Sequence, residues 1–268
     1  MPAAPKFRSD PAREESELRA YLGADYDETR LWHYERQLEE EFAEMPDEDR
    51  FYRTSFAYLY NLTAFAMTET KVPYLRELLG HVRPGARILD FGCGIGSDGL
   101  MLLESGYRVE FADFDNPSTR YLRWRLEHRG LEAPIHHLDG GVPDGFDAAY
   151  SFDVIEHVED PFAFLRELER RAELVAVNLL EPVPGEPAFH HDLPVRRLLG
   201  RIAGRRLVSY RLMYGRSNLV LYRPVPGSTA RRWAAWSRIE IERARQWCVG
   251  SARRLRRWAR RRLRQLRG

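Results

Sequence analysis

Cysteine is nearly absent from this chain of 268 residues, which has only Cys93 and Cys248. One lies in a glycine-rich stretch and the other in a basic tail. That distance excludes a disulfide-stapled scaffold and suits a reducing compartment. Long apolar runs are absent too. None approaches the ~18 residues of a membrane-spanning helix, and the longest, 174–180, is interrupted by Asn178. The opening segment MPAAPKFRSDPAREESE has no apolar core of the kind that marks a secretory leader, so a cytoplasmic location is expected. Lysine is missing from residues 228–268, which carry 14 arginines and two acids, Glu240 and Glu242. The tail therefore holds +12 and residues 1–227 hold −10, a segregation hidden by the overall +2. An acidic body and a strongly basic tail call for separate readings.

The length allows one large domain with appendages. Residues 11–80 read as helices, with Leu31, Tyr34, Leu38 and Phe42 spaced by three and four. An aromatic stretch follows, containing Tyr52, Phe56, Tyr58, Tyr60 and Phe65. Such residues serve either as helix core or as the lining of a pocket for an apolar or aromatic molecule. From Arg87 the pattern changes. RILDF (87–91), RVEFADF (108–114), PIHHLD (134–139), DAAYSFD (147–153) and ELVAVNLL (173–180) alternate with amphipathic helical stretches. That alternation predicts an α/β fold with a parallel sheet covered on both faces. RRLVSYRLM and SNLVLYRP are separated only by YGR, a link too short for anything but an antiparallel hairpin. The expected division is a helical lid over 1–80, an α/β domain over 81–227 and a tail over 228–268.

The most informative stretch is ILDFGCGIGSDG (88–99), with four glycines in twelve positions. Glycines after a strand let backbone N–H groups approach a ligand closely; the alternative is a tight turn with no ligand. Gly94, Gly96 and Gly99 fit the G-x-G-x-x-G of dinucleotide folds, whereas Gly92, Gly94 and Gly96 fit G-x-G-x-G. A dinucleotide brings a pyrophosphate, which a carboxylate at Asp90 would repel. S-adenosylmethionine has no phosphate and carries an ammonium and a sulfonium, which Asp90 would attract. Gly99 is then expected only to lie in the following helix. Asp113 or Asp115 is due at the end of the next strand to accept ribose hydroxyls, Asp113 being preferred; its alternative role is to cap the helix that follows. Asp139, ending HHLD, either meets the adenine amino group or simply makes a turn.

RILDFGCGIGSDG, FADFDNPS, HHLDGG and FDAAYSFDVIEHVEDP together resemble the successive motifs of class I S-adenosylmethionine-dependent methyltransferases. The branch resembled includes quinone-biosynthesis enzymes and many small-molecule methyltransferases. The likeness covers roughly 75–224. It implies a Rossmann-like seven-stranded sheet of order 3-2-1-4-5-7-6 with the last strand antiparallel. It also implies a cofactor, S-adenosyl-L-methionine, held by Asp90, Gly92, Cys93, Gly94, Gly96, Asp113, Phe114, Asp139, Gly140 and Ser151. The sequence departs from the family's pattern at DFDN, where an acid is usually followed by an apolar residue and Ser.

Methyl transfer mainly requires alignment of nucleophile and sulfonium, with a base only where the acceptor must lose a proton. Asp153, Glu156 and His157 in DVIEHV would share one face of a helix beginning there. Three readings compete: His157 as general base, the cluster as a divalent-cation site, or Glu156 and His157 as organisers of the loop. No metal is expected. His190, His191 and Asp192 follow the fifth strand, where the loop commonly faces the acceptor, and Asp192 alternatively caps the next helix. The expected acceptor is a hydroxyl on a small, glycosidic or lipid-linked molecule. An N- or C-methyltransferase, a non-catalytic adaptor and a dehydrogenase stand as alternatives. In the tail, Trp233, Trp236, Ile241, Ala244, Trp247, Cys248, Leu255, Trp258 and Leu266 fall on one side of a helical wheel, as in an interfacial membrane helix. A peripheral site on an anionic inner membrane face is therefore expected, with a protein partner, nucleic acid or mere solvation as the other readings.

Overall fold

Strand RILDF alternates its side chains between two buried faces, and the rest of the sheet repeats the pattern. Leu89, Ala149, Val175, Val177, Val220 and Tyr222 point into one apolar layer. Ile88, Val109, Phe111, Ala148, Tyr150, Leu174 and Leu219 point into the other. A sheet apolar on both faces must be covered on both, which is what a strand–helix alternation provides. The computed structural model describes residues 8–45, 47–183, 185 and 190–246.

Among the described residues six α-helices precede the first strand: α1 (Pro11–Leu22), α2 (Glu28–Trp32), α3 (Tyr34–Glu44), α4 (Glu48–Thr54), α5 (Ala57–Met67) and α6 (Val72–Leu79). Then come β1 (Arg87–Phe91), α7 (Ser97–Glu104), β2 (Arg108–Asp113), α8 (Pro117–Arg129), β3 (Ile135–His137), β4 (Phe146–Ser151), α9 (Pro161–Arg171) and β5 (Ala172–Leu180). The chain continues through α10 (Val195–Ala203), β6 (Arg205–Met213) and β7 (Ser217–Pro226). A last helix, α11, covers 229–246 of the described chain. The sheet order is β3-β2-β1-β4-β5-β7-β6, with β7 antiparallel to both neighbours. This is the expected topology.

Local chemistry fixes the helix starts. Asp160 accepts from the Phe162 and Ala163 N–H groups at 2.9 Å ahead of Pro161. Asn116 and Thr119 form a reciprocal capping box, and Gly130 closes α8 in the left-handed region. Some expectations shift. The third strand is only three residues long and runs into a 3₁₀ turn, Leu138–Gly140. Helix α6, within the stretch expected as a lid, packs through Val72, Leu75 and Leu78 on the sheet layer. Asp192 does not cap α10, whose N-cap position is held by Pro194 with no side-chain cap. The basic tail is not wholly separate from the body either, because α11 buries Ala235 and Ile239 against the sheet's first layer. Residues 247–268, with the expected Trp247, Cys248, Leu255, Trp258 and Leu266, lie outside the described residues.

The N-terminal layer is joined to the sheet domain by a buried ion cluster. Arg125 of α8, with no exposed surface, donates to Glu14 at 2.6 Å and to Glu17 at 2.8 Å on α1. Its remaining N–H groups reach Ile95 O at 2.9 Å and Ser97 Oγ at 2.8 Å. Arg129 adds two 2.7 Å bonds to Glu17. Removing one partner of a buried pair costs about 3–5 kcal/mol, because the other charge stays buried. Arg125→Met should therefore lose about that much in denaturant unfolding, and adding Glu14→Gln and Glu17→Gln should recover part of it. A loss below about 1 kcal/mol would show that the cluster behaves as a surface pair.

Candidate active site

The parallel strands β1, β2 and β4 all end at one edge of the sheet, and the cavity opens there. It measures 1380 Å³ and lies between that edge and helices α3, α4 and α5. Its floor is the glycine loop. Gly96 caps α7 in the left-handed region at φ 72°, and a Cβ there would collide with Leu122 of α8. Gly94 is also left-handed, at φ 53°, and a Cβ would stand 2.7 Å from Leu62 of α5. The lid helix thus closes directly on the loop, a contact only glycine permits. Gly99 lies in α7, as expected, where it faces Phe111 and Asp90.

Asp113, at the end of β2, lines the cavity. Its Oδ2 accepts the Gly94 N–H and its Oδ1 the Phe114 N–H, both at 2.7 Å. Burial raises its pKa, against the lowering effect of those two N–H groups. Each oxygen keeps a lone pair for a diol. Asp115 instead is exposed and pairs with Arg120 at 3.5 Å, so of the two only Asp113 lines the cavity. Phe114 also lines the cavity.

Other expected residues are placed differently. Asp90 is buried beneath the loop rather than on the cavity wall, and its Oδ2 has no hydrogen-bond partner. Burial, then the nearby Asp98, pushes its pKa up to about 8. It is thus chiefly protonated at neutral pH, and the acids that line the cavity at the strand ends are Asp113, Asp153 and Glu156. Ser151 is buried at the end of β4 with its hydroxyl unpaired. The Cys93 thiol, raised by burial, lies against the loop. Asp139 is exposed beside Gly140 and held in a two-pronged bond by Arg53 of α4, at 2.6 and 3.0 Å. The same guanidinium covers the Phe114 ring at 4.4 Å. Asp139, expected at the adenine, and Phe114, expected at the cofactor, are thus bridged by a residue 86 positions from Asp139 in sequence.

The expected helical face of Asp153, Glu156 and His157 does not form. Asp153 has φ 55°, Ile155–His157 is a single 3₁₀ turn, and the α-helix begins only at Pro161. The three residues still meet at the cavity. Asp153 receives the Asn178 amide at 2.6 Å and faces the Lys71 ammonium at 3.7 Å. Glu156 is 2% exposed with Oε2 unpartnered. Burial, then Asp153, raises its pKa. His157 Nδ1 lies 3.0 Å from the Tyr52 hydroxyl of α4, and its ring meets that of His190 edge to face, 4.7 Å between centroids. His191 turns aside. Its N–H donates to Glu156 O at 2.7 Å, and its Nε2 lies 3.1 Å from Glu48. No group of three or more His, Cys, Asp or Glu is arranged to hold a metal among the described residues.

Two residues gain contacts in the site that the sequence did not announce. Lys71 donates to Phe152 O at 3.2 Å and stands 4.0 Å from Asp98. Burial alone would lower its pKa, but Asp153, Asp98, Asp90 and Glu156 hold it above the ordinary value. It is one of only two lysines in the chain, the other being Lys6, and that scarcity was the available signal. Tyr52 is the second. Of the aromatics that precede it and follow it in the lid, Tyr52, Tyr58 and Phe65 line the cavity, Tyr60 is core and Phe56 is exposed.

A carboxyl raised in the folded state gives stability that is complete below its unfolded pKa and is lost as pH climbs through the folded one. For Asp90 that window runs from 3.8 to about 8. Asp90→Asn, with no charge to bury, should lose less stability than the parent across it, read as Tm against pH. Parallel curves would place the titration on another group.

A family model described as a methyltransferase domain matches residues 67–262. Among curated proteins, the chain is similar to a ubiquinone biosynthesis O-methyltransferase of Ruegeria pomeroyi, 34% identical over 94 residues, covering 33% of this chain and 38% of that protein. It is also similar to a cypemycin N-terminal methyltransferase of a Streptomyces species, 31% identical over 106 residues, covering 39% and 41%. The chain thus spans about two fifths of these relatives. An O-methyltransferase family protein from Burkholderia thailandensis shares the fold, with TM-score 0.53 at 13% identity over 76% of this chain and 74% of that one.

Proposed function

Given that the chain belongs to the S-adenosylmethionine-dependent methyltransferases, we propose that it methylates a hydroxyl of a small acceptor in the cavity beneath α3 and α4. The observation that carries this reading is the meeting of Asp113 on the sheet side with Tyr52 and His157 on the lid side of one 1380 Å³ space. That volume exceeds what one drug-sized ligand fills, so cofactor and acceptor fit together.

In this reading Asp113 accepts the ribose hydroxyls, and the glycine loop lies along the methionine part. Lys71, held charged among acids, answers the carboxylate, while Asp153 and Glu156 answer the cationic groups. When bound, the cofactor supplies an activated methyl carbon. His157 takes the acceptor's proton. Tyr52 fixes the imidazole. Holding the two reactants in line is worth on the order of 7–11 kcal/mol, and a placed base adds about 10²–10⁴-fold. A second reading, transfer to an amine, is favoured by the acids Glu35, Glu39, Glu48, Asp49 and Glu159 that line the same cavity.

Isothermal titration tests the proposal. S-adenosylmethionine and its demethylated product should both bind, and Asp113→Ala should weaken each by about 10- to 100-fold, the worth of charge-assisted bonds. Absence of binding by either ligand overturns the reading. His157→Ala should leave cofactor affinity intact while lowering transfer of labelled methyl by about 10²-fold; unchanged transfer would remove His157 as the base.

A further inference from the structure

Helix α11 returns the chain to the cavity edge. Strand β7 starts at Ser217, opposite Leu180 at that edge, and ends at Pro226, opposite Arg205 at the far one. From there α11 climbs back along the sheet. Arg238 donates to Val208 O at 3.3 Å, and Arg243 reaches Glu181 at 2.5 Å and Asn218 at 3.0 Å. Fourteen residues at ~1.5 Å each span ~21 Å, enough for the return.

The helix has two unlike sides, and the single apolar face expected from sequence is divided between them. Inward, Ala235 and Ile239 are buried, and Trp236 lies beneath Arg196 of α10. Outward, Trp233 and Ile241 are 68% and 69% exposed, with Ala234, Ala244, Arg238 and Arg245 beside them. Beyond residue 246 come 22 residues with nine arginines, no acid, and Trp247 and Trp258. At the rim of the cavity, Val183 and Tyr214 are exposed as well.

We propose that the outward side of α11, with the arginine-rich residues that follow it, docks on an anionic lipid bilayer and sets the cavity edge against that surface. Three observations converge. Exposed Trp and Ile beside arginines are the composition of a helix lying in a lipid interface. Nucleic acid would attract the charge but gives Trp233 and Ile241 no apolar medium. The body's charge of −10 repels an anionic surface everywhere else, so the basic side alone approaches. The inference is independent of the chemistry in the cavity, which the cofactor titration reports separately.

Flotation of the full chain with vesicles of phosphatidylglycerol and of phosphatidylcholine alone tests it. The chain should float with the first and not the second, less so as salt rises. Trp233→Ser with Ile241→Ser should lower the partition about tenfold or more, with Tm and cofactor affinity unchanged, since both side chains are on the surface. Three results would each overturn the proposal: no flotation with phosphatidylglycerol, equal flotation of the double variant, or tighter retention on duplex DNA or RNA at the same salt. So would sedimentation showing a dimer that the double variant abolishes and vesicles do not disturb.

Discussion

Arg125 is the side chain on which the placement of everything else in the site depends. It is wholly buried, yet its guanidinium is satisfied by Glu14, Glu17, Ile95 O and Ser97 Oγ. Those partners belong to α1 and to the glycine loop with its following helix. One planar cation therefore holds the first helix of the chain and the cofactor loop in a fixed relation, which lysine, with a single point charge, would not do. The desolvation cost of such a group is several kcal/mol, and only its complete set of partners offsets it. With α1 fixed, α5 packs beside it, Leu62 closes on Gly94, and the lid acquires its position over the sheet edge.

The second constraint is electrostatic. Asp90, Asp98, Asp113, Asp153 and Glu156 converge on the ends of β1, β2 and β4 with Lys71 among them. Burial drives several of these carboxyls upward, so they hold their protons to higher pH than ordinary surface acids do. A ligand bearing an ammonium and a sulfonium supplies the missing positive charge and favours the ionised acids. A pyrophosphate would do the opposite. The choice between the two glycine-loop templates therefore rests on the whole acid cluster, and Asp90 contributes to it from behind the wall.

Where backbone periodicity and local chemistry act, the sequence was readable. The parallel sheet followed from alternation, the closing hairpin from the short Tyr214–Arg216 link and the strand order from the family resemblance, while the preference for Asp113 came from its place directly after an apolar run. What escaped depends on partners distant in the chain. Nothing near Asp139 announces that Arg53 will occupy it, and nothing near His157 announces Tyr52. The helical face proposed for Asp153, Glu156 and His157 failed because Asp153 adopts φ 55° and breaks the first turn. In α11, wheel geometry grouped Trp233, Trp236 and Ile241, but the body claims Trp236. A helix of mixed composition does not say which of its sides will dock.

The lid is fastened unequally, and that inequality determines how the cavity can open. On the α1 side, the Arg125 cluster is buried, so separating it would strand charges in the interior. On the α4 side, the ties are Arg53 to an Asp139 side chain that is 62% exposed, Glu48 to a half-buried His191, and the Tyr52–His157 contact. Exposed pairs are worth about 0–1 kcal/mol each, because water replaces what is lost. Any opening therefore proceeds through α4 while α1 stays in place. The contacts of this one short helix thus reach Phe114 and Asp139 at one end of the cavity and His157 at the other.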